Sequence, residues 1–143
     1  MILLDTNVVS EPLRPAPDAR VIAWLDAQAL ETLYLSAITV AELRAGVALM
    51  PKGRRRNKLH ETIEREVLPS FAGRVLPFDA ACTQAYAEML STARQMGGGI
   101  GTADALIAAI ARANGLIVAT RDTSSFTAAG LDVINPWEAG KDS

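Results

Sequence analysis

The chain has 143 residues, half of them hydrophobic and 21% charged, with a formal net charge of −2 at pH 7. This composition excludes a disordered chain, and the balance of charge gives no global attraction to nucleic acid, so a polyanion would have to be met by a local basic patch or a metal ion. The length suits one domain with a real core and is short for two, and the sole cysteine, Cys82, has no partner for an internal disulfide.

The chain opens on an apolar run, residues 1–4, that stops at Asp5. A carboxylate at the end of a buried strand loses hydration unless something compensates it. Asp5 therefore either caps the helix that follows or holds a charge that the protein needs. An acid here also interrupts the basic start and long apolar region of a secretory signal. Pro12, Pro15 and Pro17 mark the turn before a second helix over 21–29, with Asp18 as its cap. Residues 33–35 read as a second strand, and 40–49 as a helix by apolar spacing. Pro51 and Gly53 separate that helix from a polar amphipathic one over 55–68.

Val75-Leu76 is a short third strand, followed by Asp79 and a helix over 80–96. Gly97-Gly98-Gly99 is a flexible spot, too short to divide domains, and it lacks the Lys-Ser/Thr ending of a phosphate loop. A sixth helix over 103–114 ends at Gly115. Residues 116–119 form the fourth strand and 131–134 a weaker fifth. Strands apolar throughout, alternating with helices, indicate an α/β fold with a parallel sheet covered by helices on both faces. The most apolar stretch, 103–119, carries Asp104, Arg112 and Asn114 and falls short of the roughly 20 clean residues of a membrane span. A soluble cytoplasmic protein without membrane contact is the expectation.

Four acids stand at expected helix starts: Asp5, Glu42, Asp104 and Asp122. Each has a purely structural reading. Asp5 and Asp122 suit N-caps, Thr39 and Glu42 suit a capping box, and Asp104 complements a helix dipole. Topology argues otherwise. In an open parallel sheet the carboxyl ends of the strands and the amino ends of the helices that follow share one edge, where ligand crevices form. Carboxylates converging there without Lys or Arg between them repel one another, and a divalent cation would relieve the repulsion. An all-oxygen donor set suits Mg2+ or Mn2+ rather than zinc. Asp79 has the same strand-then-acid pattern and reads equally well as a cap.

The segments MILLDTN, LSAITVAELRAGV and TADALIAAIARANGLIVATRD and the ending NPW, in this order and spacing, resemble the PIN-domain nucleases. Among these they look like the VapC-type toxins of bacterial toxin–antitoxin pairs. The resemblance runs from Met1 to about Trp137, which implies a PIN domain over 1–137 and a C-terminal tail over 138–143. It implies a five-stranded parallel sheet of order 3-2-1-4-5 with an acidic site at one edge. It carries Asp5, Glu42, Asp104 and Asp122 over as catalytic and metal-binding residues, and gives Asp79 no counterpart. Many relatives have a further acid shortly before the position of Asp104, where this chain has residues 97–101 without one; one ion or two both remain open.

The resemblance further implies an Mg2+- or Mn2+-dependent endoribonuclease that hydrolyses RNA as the toxin of a type II toxin–antitoxin pair. It implies a homodimer and a cognate small DNA-binding antitoxin, with promoter DNA reached only through the antitoxin complex. The residue types fit this chemistry, since a carboxylate-held cation activates water and neutralises phosphate charge. His60 is the only histidine, a surface residue by pattern, so no Ser–His or Cys–His pair competes.

Two rivals remain. One is a catalytically silent PIN module that binds RNA or a partner, which has no reason to keep all four acids. The other is a haloacid-dehalogenase-like phosphatase, which wants a second Asp where Asn7 stands. The basic run over 52–58, KGRRRNK, is either a solvated helix start or a strip that contacts phosphates. Thr120 and Arg121, beside Asp122, have a further reading as groups that orient a phosphate.

Overall fold

The computed structural model describes residues 1–138; of the expected tail only Glu138 is among them. Strand β1 (Ile2–Leu4) runs down the middle of a five-stranded sheet. It pairs in parallel with β2 (Leu33–Ser36) on one side and β4 (Ile117–Ala119) on the other. Outside these lie β3 (Val75–Leu76) and β5 (Val133–Ile134), also parallel. The order is β3-β2-β1-β4-β5, as the resemblance implies.

The helices are α1 (Thr6–Ser10), α2 (Ala19–Asp26), α3 (Ala37–Ala48), α4 (Arg54–Thr62), α5 (Leu68–Ser70), α6 (Ala80–Gln95), α7 (Thr102–Ala113) and α8 (Thr123–Ala128). Alternation along the strands divides them between the two faces. Leu3 and Val118 point into a core with Met89 of α6, Ile107 and Ile110 of α7 and Phe126 of α8, all fully buried. Leu4, Leu35 and Ala119 point the other way, into a second core with Val8, Val21, Leu43, Ile63 and Trp137. In this register Leu3 lies beside both Tyr34 and Val118, and Leu4 beside Ala119, so each core is one continuous layer.

The ends of the elements differ from expectation where capping decides them. Helix α3 starts at Ala37 rather than at 40, because the Ser36 hydroxyl accepts from Thr39 N (3.0 Å) and caps it. The proposed Thr39–Glu42 capping box is therefore absent: Thr39 is inside the first turn and Glu42 inside the second. The helix expected over 55–68 is interrupted by a π-helical stretch, Ile63–Val67, between α4 and α5. Asp18 caps α2, and Asp79 caps α6 by accepting from Cys82 N (3.3 Å). Gly115, at φ +66°, closes α7 where an L side chain would be strained. Among the described residues no helix is long and apolar enough to cross a membrane.

Candidate active site

The pairing of β1 with β4 sets the site. Asp5, the first residue past β1, donates its N–H to Ala119 O (2.9 Å) and so lies beside Thr120 at the end of β4. Its carboxylate is buried. Oδ1 accepts from Thr6 N (2.8 Å) and Oδ2 from the Thr120 hydroxyl (2.8 Å). The same Thr120 oxygen accepts from Asp122 N (3.0 Å), which fixes the turn carrying that acid. Asp5 is thus both a cap and a buried charge. Burial raises its pKa most, the Thr120 and Thr6 hydrogen bonds oppose that rise, and the charges of Glu42 and Asp122 add to it.

Asp104 is the third residue of α7, half-buried over this edge. Burial, then the charges of Asp5, Asp122 and Glu42, push its pKa up to about 6, and a hydrogen bond with the Asp122 carboxyl adds to this. Asp122 occupies the cap position of α8, but its side chain accepts no backbone N–H of that helix; only the Ser125 hydroxyl reaches it, at 3.4 Å. The cap reading fails for Asp122 because its carboxyl accepts no backbone N–H of α8 and instead stands among the charges that act on Asp5 and Asp104. The charges of Asp5, Asp122 and Glu42 act on Asp104, and those of Glu42 and Asp122 on Asp5, whereas Asp79 is not among the charges that shift either group most.

Glu42 is held by a device the sequence reading missed. Ser36, Thr39 and Glu42 lie three residues apart, hence along one face of α3. The Ser36 hydroxyl donates to Thr39 (3.3 Å), and the Thr39 and Thr6 hydroxyls are 3.1 Å apart. Thr6 donates to Glu42 Oε1 (2.6 Å). Each hydroxyl has one proton, and that of Thr6 is committed to Glu42, so the Thr39 hydroxyl must donate to Thr6. The chain of donors runs one way, from Ser36 to the carboxylate. The spacing S-x-x-T-x-x-E over Ser36, Thr39 and Glu42 carries this signal, and its second half is what also suits a capping box. Ser36→Ala is expected to cost about 1 kcal/mol through the lost cap, while Glu42→Gln leaves the cap of α3 untouched. Thermal melting of the two variants checks this.

Among the described residues no Lys or Arg lies within 4.0 Å of any of the four acids, and no three of them are closed into a pre-formed ion cage. What fits a divalent cation is the donor set. It is all oxygen and uncompensated, and burial together with the mutual repulsion of the acids pushes the Asp104 pKa up to about 6. Each carboxylate oxygen keeps a lone pair after the hydrogen bonds described. A cation among these groups would remove the repulsion.

Part of the basic run comes close to the site. A cleft of about 500 Å³ is lined by Thr6, Glu42, Arg14 and Arg55 among others. Arg56 instead donates to Val47 O (3.1 Å), a structural contact.

A family model described as PIN domain matches residues 2–130. The chain is 67% identical to the plasmid stability protein StbB of Pseudomonas syringae pv. tomato, over 97% of this chain and all of that protein. It is 60% identical to VapC ribonuclease Y4jK of Sinorhizobium fredii, over 96% of this chain and 99% of that one. It also resembles the structure of FitAB bound to an IR36 DNA fragment, with a TM-score of 0.93, 58% identity and 96% of each chain covered.

Proposed function

This chain belongs to the PIN-domain family, and from that premise we propose that it is an Mg2+- or Mn2+-dependent endoribonuclease acting as the toxin of a type II toxin–antitoxin pair. The observation that carries the reading is the convergence of Asp5, Glu42, Asp104 and Asp122 on one sheet edge without a counter-cation. A scaffold would have no use for so costly a cluster. A ribonuclease name on a relative 60% identical over nearly the whole chain supports the substrate class.

In this reading Asp5, Glu42, Asp104 and Asp122 would hold the ion, and the chemistry it would supply there is activation of water and neutralisation of phosphate charge. Thr120 and the Thr6 amide hold the Asp5 carboxylate in one orientation, each bonding one of its oxygens. The hydroxyl chain from Ser36 does the same for Glu42. The raised pKa of Asp104 gives it a proton to hold or release near neutral pH when no ion is bound. The nucleophile is water and not the ribose 2′-hydroxyl, so the products carry 5′-phosphate and 3′-hydroxyl ends.

The partners proposed are RNA, a second copy of the chain, and a small DNA-binding antitoxin that blocks the site. The FitAB structure, bound to its IR36 DNA fragment, supports assembly with a partner chain and with DNA. The formal charge of −2 leaves DNA binding to the antitoxin. The test is incubation of the purified chain with single-stranded RNA, Mn2+ or Mg2+, and excess EDTA in parallel. Cleavage is expected only with the ion, and end-group analysis is expected to find 5′-phosphates. Cleavage persisting in EDTA, or 2′,3′-cyclic phosphate ends, would sink the mechanism.

A further inference from the structure

A four-acid site must hold a polyanion that it would otherwise repel, and among the described residues the cation nearest to it in sequence makes no ion pair. Arg121 lies between Thr120, which is bonded to Asp5, and Asp122. Its own N–H donates to Asn7 Oδ1 (3.4 Å), tying the turn after β4 to α1. Its guanidinium carbon lies 5.1 Å from the centroid of the Trp137 ring. That ring is 5% exposed, and its turn is fixed by Asn135 Oδ1 accepting from Trp137 N (3.0 Å).

A guanidinium on an aromatic face is held by the ring quadrupole and leaves the N–H groups along its edge unengaged. Asp18 feels the charge of Arg121, but its oxygens are already taken by Arg20, at 3.1 Å from Nε and 2.8 Å from the terminal nitrogen. Among the described residues no carboxylate lies within 4.0 Å of Arg121, and its side chain is exposed.

We infer that Arg121 binds a backbone phosphate of the RNA strand next to the acidic site, with Trp137 positioning its guanidinium. This deepens the nuclease reading and rests on it. The planar fork matches two phosphate oxygens, which a point charge does not. Among the described residues none of the four acids lies within 4.0 Å of the Arg121 guanidinium, so the phosphate it takes flanks the one that is cut. A strand held there is drawn to an edge that its own charge would otherwise keep it from.

The test measures binding of a fluorescent single-stranded RNA oligonucleotide by anisotropy across a salt series, in the cleavage-impaired Asp104→Asn protein. Adding Arg121→Ala is expected to weaken binding about tenfold and to lower the salt slope by about 0.7, one phosphate contact on a single strand. Arg121→Lys is expected to keep the slope and regain only part of the affinity. Trp137→Phe, which keeps an aromatic face, is expected to bind like its parent. In the otherwise wild-type enzyme Arg121→Ala is expected to raise KM, with kcat within about threefold, and to leave stabilisation by Mn2+ unchanged. Unaltered affinity and slope would make Arg121 only a lid on Trp137 and overturn the inference while leaving the nuclease reading intact. If wild type and Asp104→Asn both bind no RNA, the nuclease reading fails and takes this inference with it.

Discussion

Asp104→Asn is expected to reduce RNA cleavage at least about 100-fold, and Asp5→Asn to do the same. Removing a group that merely supports a metal ligand costs about 10–100-fold in metal affinity or activity, and a direct ligand costs more. The substitution keeps the size of the side chain and removes only its charge. Helix α7 takes its cap geometry from Gly101 and has no side-chain cap to lose. At Asp5 an amide oxygen can still accept from Thr6 N or Thr120, so the local fold is preserved. Initial rates under saturating Mn2+, with circular dichroism of each variant, make the measurement. Cleavage within tenfold of wild type by a folded Asp104→Asn protein would remove Asp104 from the proposed site.

The second large effect is on stability, and its sign separates a charged site from a set of helix caps. The Asp104 carboxyl titrates at about 6 in the folded chain against 3.8 for an ordinary aspartate. Between those values the folded state binds more protons than the unfolded one. The stabilisation this brings is fully present below pH 3.8 and is lost as pH rises through 6. In EDTA the wild type is therefore expected to gain melting temperature as pH falls from 7 to 5. Asp104→Asn at pH 7 is expected to melt at or above wild type, because the repulsion is gone.

With Mn2+ at a hundredfold excess over its dissociation constant, wild type gains about 2.7 kcal/mol. For a chain of this size that is roughly 8 °C in melting temperature. Asp5→Asn and Asp104→Asn are expected to lose most of the gain. Asp79→Asn, at a residue that caps α6, is expected to respond to Mn2+ as wild type does. Equal stabilisation of all three variants would return the acids to the status of caps.

Much of this molecule follows from local pattern. Short runs apolar at every position, separated by helical spacing, can be satisfied only by strands buried on both faces, which is how Leu3 and Leu4 come to face different cores. Proline, glycine and aspartate marked the turns because φ restriction and capping are properties of single residues, as at Gly115, Asp18 and Asp79. The four acids were legible for a related reason: a parallel sheet brings strand ends and helix starts to one edge whatever the details.

What sequence spacing could not decide was which hydrogen bonds each polar group makes, since these depend on neighbours far along the chain. Thr39 and Glu42 have the spacing of a capping box, but the cap fell to Ser36 once β2 had run its last residue into the sheet. Asp122 has the position of a cap, yet its carboxyl accepts no backbone N–H of α8 and acts on Asp104 instead, which no local pattern reveals. Thr6 meets Glu42 across 36 residues and Thr120 meets Asp5 across 115. These pairings exist only because β1 lies between β2 and β4. Burial and like charge then lift Asp104 to about 6, a value set by convergence in space, to which the order of residues along the chain contributes only the means of folding.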